Sequence, residues 1–179
     1  MGTIAGTIAR IVPAVVAALT LVAAAPSVAA EGPPPQAPSP AFERLKALAG
    51  EWAGTAAMGG KEMPTRASIR VVSAGSAILI TTDPGGAHEM VTIVHRDGDA
   101  LVATHYCAAQ NQPRMRAIPG ADLSRIVFEF IDGTNLSAYP ARMQRFAISM
   151  PSPDRHVQEW TFRDGAKDST EAFEMKRVQ

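Results

Sequence analysis

From residue 50 onward the chain is a succession of short runs in which apolar and polar residues alternate, each ended by a turn-forming sequence, with no useful stretch of helical period among them. Alternation with period two is the mark of a strand with one buried and one solvated face. Thr65 to Ser73 shows it most cleanly, with Ala67, Ile69 and Val71 on one face and Arg66, Ser68 and Arg70 on the other. Similar runs lie near Glu51 to Ala57, Ser76 to Thr82, Ala87 to His95, Ala100 to Cys107 and Arg114 to Ile118. Four more follow near Arg125 to Ile131, Arg142 to Met150, His156 to Arg163 and Ser169 to Val178. The breaks fall at Asp83-Pro84-Gly85-Gly86, Asp97-Gly98, Pro119-Gly120, Asp132-Gly133, Pro151 to Pro153 and Asp164-Gly165, whose residues favour tight turns. About ten short strands joined in this way predict an all-β fold, an antiparallel up-and-down barrel, since closure removes both unpaired sheet edges.

What precedes the strands has a different character. Residues 1–30 read as a secretory signal: Arg10 is the only charge before Glu31, Ile11 to Ala25 is apolar, and Ser27-Val28-Ala29 or Val28-Ala29-Ala30 offers small residues for cleavage before Ala30 or Glu31. Retention as a membrane anchor is the alternative, because the apolar stretch approaches the roughly 20 residues that span a bilayer. Residues 31–40 hold Pro33, Pro34, Pro35, Pro38 and Pro40, a composition that favours extended polyproline structure and forms a linker. The folded domain is expected over 41–179. It opens with a short amphipathic helix, Ala41 to Ala49, whose Phe42, Leu45 and Leu48 share one face. An exported chain is periplasmic or secreted, with no stable membrane insertion after processing. Basic and acidic residues balance at 17 each, which gives no footing for nucleic acid or an acidic membrane surface.

The stretch Leu45-Lys46-Ala47-Leu48-Ala49-Gly50-Glu51-Trp52-Ala53-Gly54-Thr55 resembles the opening of calycin-type barrels, the superfamily of lipocalins, fatty-acid-binding proteins and nitrobindins. There a short helix leads into Gly-x-Trp on the first strand, here Gly50 and Trp52. The resemblance implies a basic residue of the last strand packed over the tryptophan, Arg177 or Lys176. It also extends to secreted bacterial lipocalin-like proteins of unassigned function, and so implies a fold without a chemistry. A haem role as in nitrobindins would draw on His156, whose surroundings match no haem motif, and the sequence names no cofactor.

Leu101 to Arg116 concentrates the candidate site residues: His105, Tyr106, the single cysteine Cys107, then Asn111, Gln112 and Arg114 around Pro113. Asp97-Gly98 predicts a two-residue type I′ hairpin turn with Arg96 facing Asp99. Counting outward sets His88 opposite Cys107 with His105 diagonal to it. One face then carries His88, Met90, Thr92, Val94, Leu101, Ala103, His105 and Cys107, and Tyr106 lies on the other.

Three functions are compatible with this arrangement. A barrel of this kind encloses a cavity for a small, largely apolar ligand, with Asn111, Gln112 and Arg114 at its rim and Arg114 clamping an acidic head group. Trp160, on a late strand with His156, Gln158 and Phe162, supplies cavity wall. A second reading makes the His/Cys set a copper or zinc site, or activates Cys107 as a thiolate nucleophile. A third fills the barrel with side chains and leaves no ligand. The oligomeric state is not legible.

Overall fold

The computed structural model describes Gly2, residues 38–58 and residues 60–178. The expected signal segment, but for Gly2, and linker residues 31–37 lie outside the described residues. Among the described residues no helix is long and apolar enough to cross a membrane.

Helix α1, Pro40–Lys46, is only seven residues long and forms because both its ends and its inner face are secured. Ser39 caps it by accepting from the Phe42 backbone N–H, and Pro40 sits in the first turn, where its missing N–H costs nothing. Two turns are not stable alone. Burial of Ala41, Phe42 and Leu45, with Leu48 just beyond, ties the helix to the core.

Ten strands follow: β1 Gly50–Met58, β2 Lys61–Val72, β3 Ala77–Thr82, β4 Met90–Asp97, β5 Ala100–Tyr106, β6 Gln112–Ala117, β7 Arg125–Thr134, β8 Arg142–Ser152, β9 Arg155–Asp164 and β10 Lys167–Val178. All pairings are antiparallel between sequence neighbours, and β1 pairs with β10 from Glu51↔Val178 to Ala57↔Ala172, which closes the barrel. Gly54 marks a tight seam in that closure, because a Cβ there would stand 1.8 Å from the Glu174 carbonyl oxygen. The inward residues interlock across the middle of the barrel. Phe146 stacks on Trp160 with ring centroids 4.0 Å apart and lies 5.4 Å from Phe128, among Ile69, Ile80, Val94, Leu101, Met115, Ile126 and Ile148.

The β4–β5 hairpin departs from the expected register. Asp97 pairs with Ala100, Arg96 with Leu101, Val94 with Ala103 and Thr92 with His105, so the two loop residues are Gly98 and Asp99. Gly98 takes the positive φ, +60°, at the first loop position, which suits a type II′ turn, while Asp97 remains in the strand and pairs ionically with Arg116. Partners therefore slide by two residues along one strand, and His88 is not opposite Cys107. The faces survive, since a two-residue slide keeps every side chain on its side of the sheet. The face bearing Thr92, Val94, Leu101, Ala103 and His105 is the inner one.

β4 also starts later than expected, at Met90, leaving residues 83–89 as a loop in which His88 is exposed. β6 starts earlier, at Gln112, so Asn111-Gln112-Pro113-Arg114 is not the loop the proline suggested. Pro113 lies just beyond the last pairing with β5, Thr104↔Arg114, where only β7 stands beside it, a position in which a strand tolerates proline.

Candidate functional site

At the end sealed by α1, the Gly-x-Trp residues build a closed cap. Trp52 is buried and donates from Nε1 to the Leu48 carbonyl at 2.9 Å. Arg177, of the two basic candidates, lies over its ring with the guanidinium carbon 4.3 Å from the centroid, and donates to the carbonyls of Ala47, Ala49 and Pro153. Gly50 makes this possible: its φ of +144° disfavours a side chain, and a Cβ there would meet the Arg177 guanidinium at 2.5 Å. The His156 ring makes an edge contact with Trp52, ring centroids 4.3 Å apart.

His156 begins a polar chain along the inner face of β9. Trp160 Nε1 is only a donor, so Gln158 accepts it through Oε1 at 3.1 Å and turns its amide nitrogen to His156 Nε2 at 3.0 Å. His156 Nε2 is therefore the acceptor and Nδ1 carries the proton. Burial, reinforced by the Arg177 charge, lowers the His156 pKa to about 4.

Toward the other end, Trp160 forms part of the wall of a cavity of about 370 Å³. Its apolar lining is Met90, Met143, Trp160, Phe162 and Phe173, with Ala108 and Ala109 from the turn after β5. Polar groups reach it from Thr82, His88, His105, Cys107, Ser169 and Glu171. Such a volume falls in the range that holds small organic ligands, about 300 to 1,000 Å³.

His105 is the best-positioned polar group. It is 2 % exposed, its Nδ1 is hydrogen-bonded to Thr92 Oγ1 at 2.8 Å, and its ring lies 4.8 Å from Trp160. Nε2 has no hydrogen-bond partner among the described residues. Burial pulls the pKa down to about 4, so the imidazole is neutral at physiological pH. The Thr92 contact fixes the orientation of this neutral ring at the cavity's edge.

Cys107 is half-buried beside it, and burial pushes its thiol up, against the lowering influence of the Ala109 backbone N–H. That shift is opposite to the one that makes a thiol nucleophilic. His88, His105 and Cys107 do border one cavity, yet among the described residues no three His, Cys, Asp or Glu side chains come together closely enough to hold a metal ion.

The remaining sequence candidates lie elsewhere. Tyr106 is on the outer face, 48 % exposed. Asn111 is fully buried and uses its amide to hold the β7–β8 connection, donating to the carbonyls of Tyr139 and Ala141, both at 2.7 Å. Gln112 accepts from the Thr134 hydroxyl. Arg114 points outward, where both ends of its guanidinium fork are engaged by Asp132, so it does not reach the cavity. Sequence reasoning missed Met143, Phe173 and Glu171. The last two were accessible in principle, because Ser169, Glu171, Phe173 and Met175 alternate along one face of β10.

No protein-family profile matches the chain, and no curated protein does. Among solved structures the chain is similar to the crystal structure of Rv2717c from M. tuberculosis, with 14% identity and a TM-score of 0.57 over 79% of this chain and 99% of that one. At that identity the likeness concerns the fold alone.

Proposed function

We propose that this is an exported barrel of the calycin type that binds a small, largely apolar molecule in the cavity at the end remote from α1. The observation that carries the reading is a cavity walled by Trp160, Phe162, Phe173, Met90 and Met143, with the buried, neutral His105 among the few polar residues that border it. Apolar walls supply affinity at about 25 cal/mol per Å² buried, and the few polar groups among them set orientation. The calycin assignment is supported by the helix leading into Gly50 and Trp52 and by Arg177 over the indole; export is supported by the character of residues 1–30. No acidic head group is assigned to Arg114, which Asp132 already occupies.

The test is uptake of N-phenyl-1-naphthylamine, an uncharged probe that fluoresces in apolar surroundings, together with native mass spectrometry of protein isolated without solvent extraction. A single saturable site with enhanced emission is expected. A barrel that takes up no probe and carries no adduct overturns the proposal in favour of a filled barrel.

A further inference from the structure

Glu171 is the one carboxylate on the cavity wall. Its register partner on β9 is Trp160, which puts it on the inward face of β10, in line with Phe173. An inward carboxylate in an apolar wall ordinarily has a basic partner, since an unpaired charge near low-dielectric surroundings is costly. Glu171 has none: no hydrogen bond or ion pair engages it among the described residues, and none of the residues bordering the cavity is Lys or Arg. Three other acids on these strands and on β7 have basic partners, Asp168 with Arg163, Glu159 with Arg125 and Asp132 with Arg114. Burial without a partner holds the Glu171 carboxyl above the usual carboxylate range.

The other titratable groups bordering the cavity do not compensate. His105, from β5, is buried and neutral, Cys107 is a protonated thiol, and His88, from the 83–89 loop, is exposed. The cavity thus presents aromatic faces, a neutral imidazole and one carboxylate. Aromatic faces and a carboxylate attract cations and repel anions.

Resting on the binding reading above, the geometry points to an amphiphile with a cationic amine head as the ligand class, its apolar body against Trp160, Phe162 and Phe173 and its ammonium group at Glu171. An alkyl carboxylate is excluded by the same feature, because its head would face Glu171 with no cation on the wall to meet it.

The experiment displaces bound N-phenyl-1-naphthylamine with decylamine, decanol and decanoate at neutral pH, three probes that share a chain and differ in head charge. Decylamine is expected to compete better than decanol by about three- to tenfold, the scale of one charge-assisted contact that is partly solvated, with decanoate weakest. Glu171→Gln is expected to bring decylamine to within about twofold of decanol, whereas Glu174→Gln, on the outer face of the same strand, leaves the preference intact. An amine no better than the alcohol, or a preference that persists in Glu171→Gln, overturns the inference while leaving apolar binding in place. Failure of all three to displace the probe, with no uptake of the probe itself, removes the binding reading and this inference with it.

Discussion

Trp52 and Trp160 are the two tryptophans of the chain, and they sit toward opposite ends of the barrel in opposite circumstances. Trp52 is buried in contact with both Arg177 and His156, and its Nε1 is satisfied by a backbone carbonyl. The indole N–H and the Arg177 guanidinium fasten α1, β1 and β10 together, while His156 Nδ1 is buried without a partner among the described residues. Trp160 is packed against Phe146 and borders a cavity, together with the buried, neutral His105 and a carboxylate without a cation. Contacts that tie elements together at one end serve stability; an apolar wall with a free carboxylate at the other is what a ligand is able to use. Loss at the first should cost folding free energy and spare binding, and loss at the second should do the reverse.

The largest effect is expected from Trp52→Ala, at about 3 to 5 kcal/mol of stability in chemical denaturation, from the cavity created and the lost anchorage of α1. Probe affinity of the fraction that remains folded should be unchanged. If affinity falls in step with stability, the two ends are not separable.

Acidification comes next and acts at both ends. His105 and His156 stay neutral in the folded chain down to about pH 4, whereas in the unfolded chain they protonate near the ordinary histidine value, 6.5. The unfolded state thus binds more protons in between, so stability is complete above about pH 6.5 and falls as the pH drops toward 4, by on the order of 3 kcal/mol per histidine. Urea melts across this range should show the loss, and Gln at either position should remove roughly half of it. A flat profile contradicts the burial of these rings as neutral species.

Arg177→Ala should cost about 2 kcal/mol, since three backbone carbonyls lose a charged donor and the indole loses its cover. Lysine at the same position should recover only part, because one ammonium does not span those carbonyls while lying flat on a ring. The smallest effect belongs to Arg114→Ala, which breaks a solvent-exposed pair and should leave probe affinity untouched. Weakened uptake of an anionic ligand in that variant would restore Arg114 as a clamp.

Much of this was legible in the sequence. Each of the ten strands announces itself because one face of each is buried, which enforces alternation, and because glycine, proline and aspartate mark most of the turns; Asp132-Gly133 does not, since both lie within β7 and pair with Arg114 and Pro113. The cap was legible through Gly50 and Trp52, where a positive φ and a buried indole restrict the residue choice. The hairpin register was misread by one turn position, because Asp97-Gly98 and Gly98-Asp99 are both acceptable turn pairs and only tertiary pairing of Asp97 with Ala100 and Arg116 selects the second. The rim was misread because Pro113 looks like a loop residue until the absence of a β5 partner beside it is known. Glu171 went unnoticed because a lone acidic residue on a terminal strand ordinarily faces water; its inward direction follows only from counting back from Phe173 and Met175.

The central claim, that binding occurs at the Trp160 end, is tested most directly by ¹⁹F NMR of protein labelled with 5-fluorotryptophan. Two resonances are expected, assigned with Trp52→Phe, one for each end of the barrel. Titration with decanol should shift or broaden the Trp160 signal saturably and leave the Trp52 signal in place. A shift confined to Trp52, or no saturable change in either signal, contradicts the account.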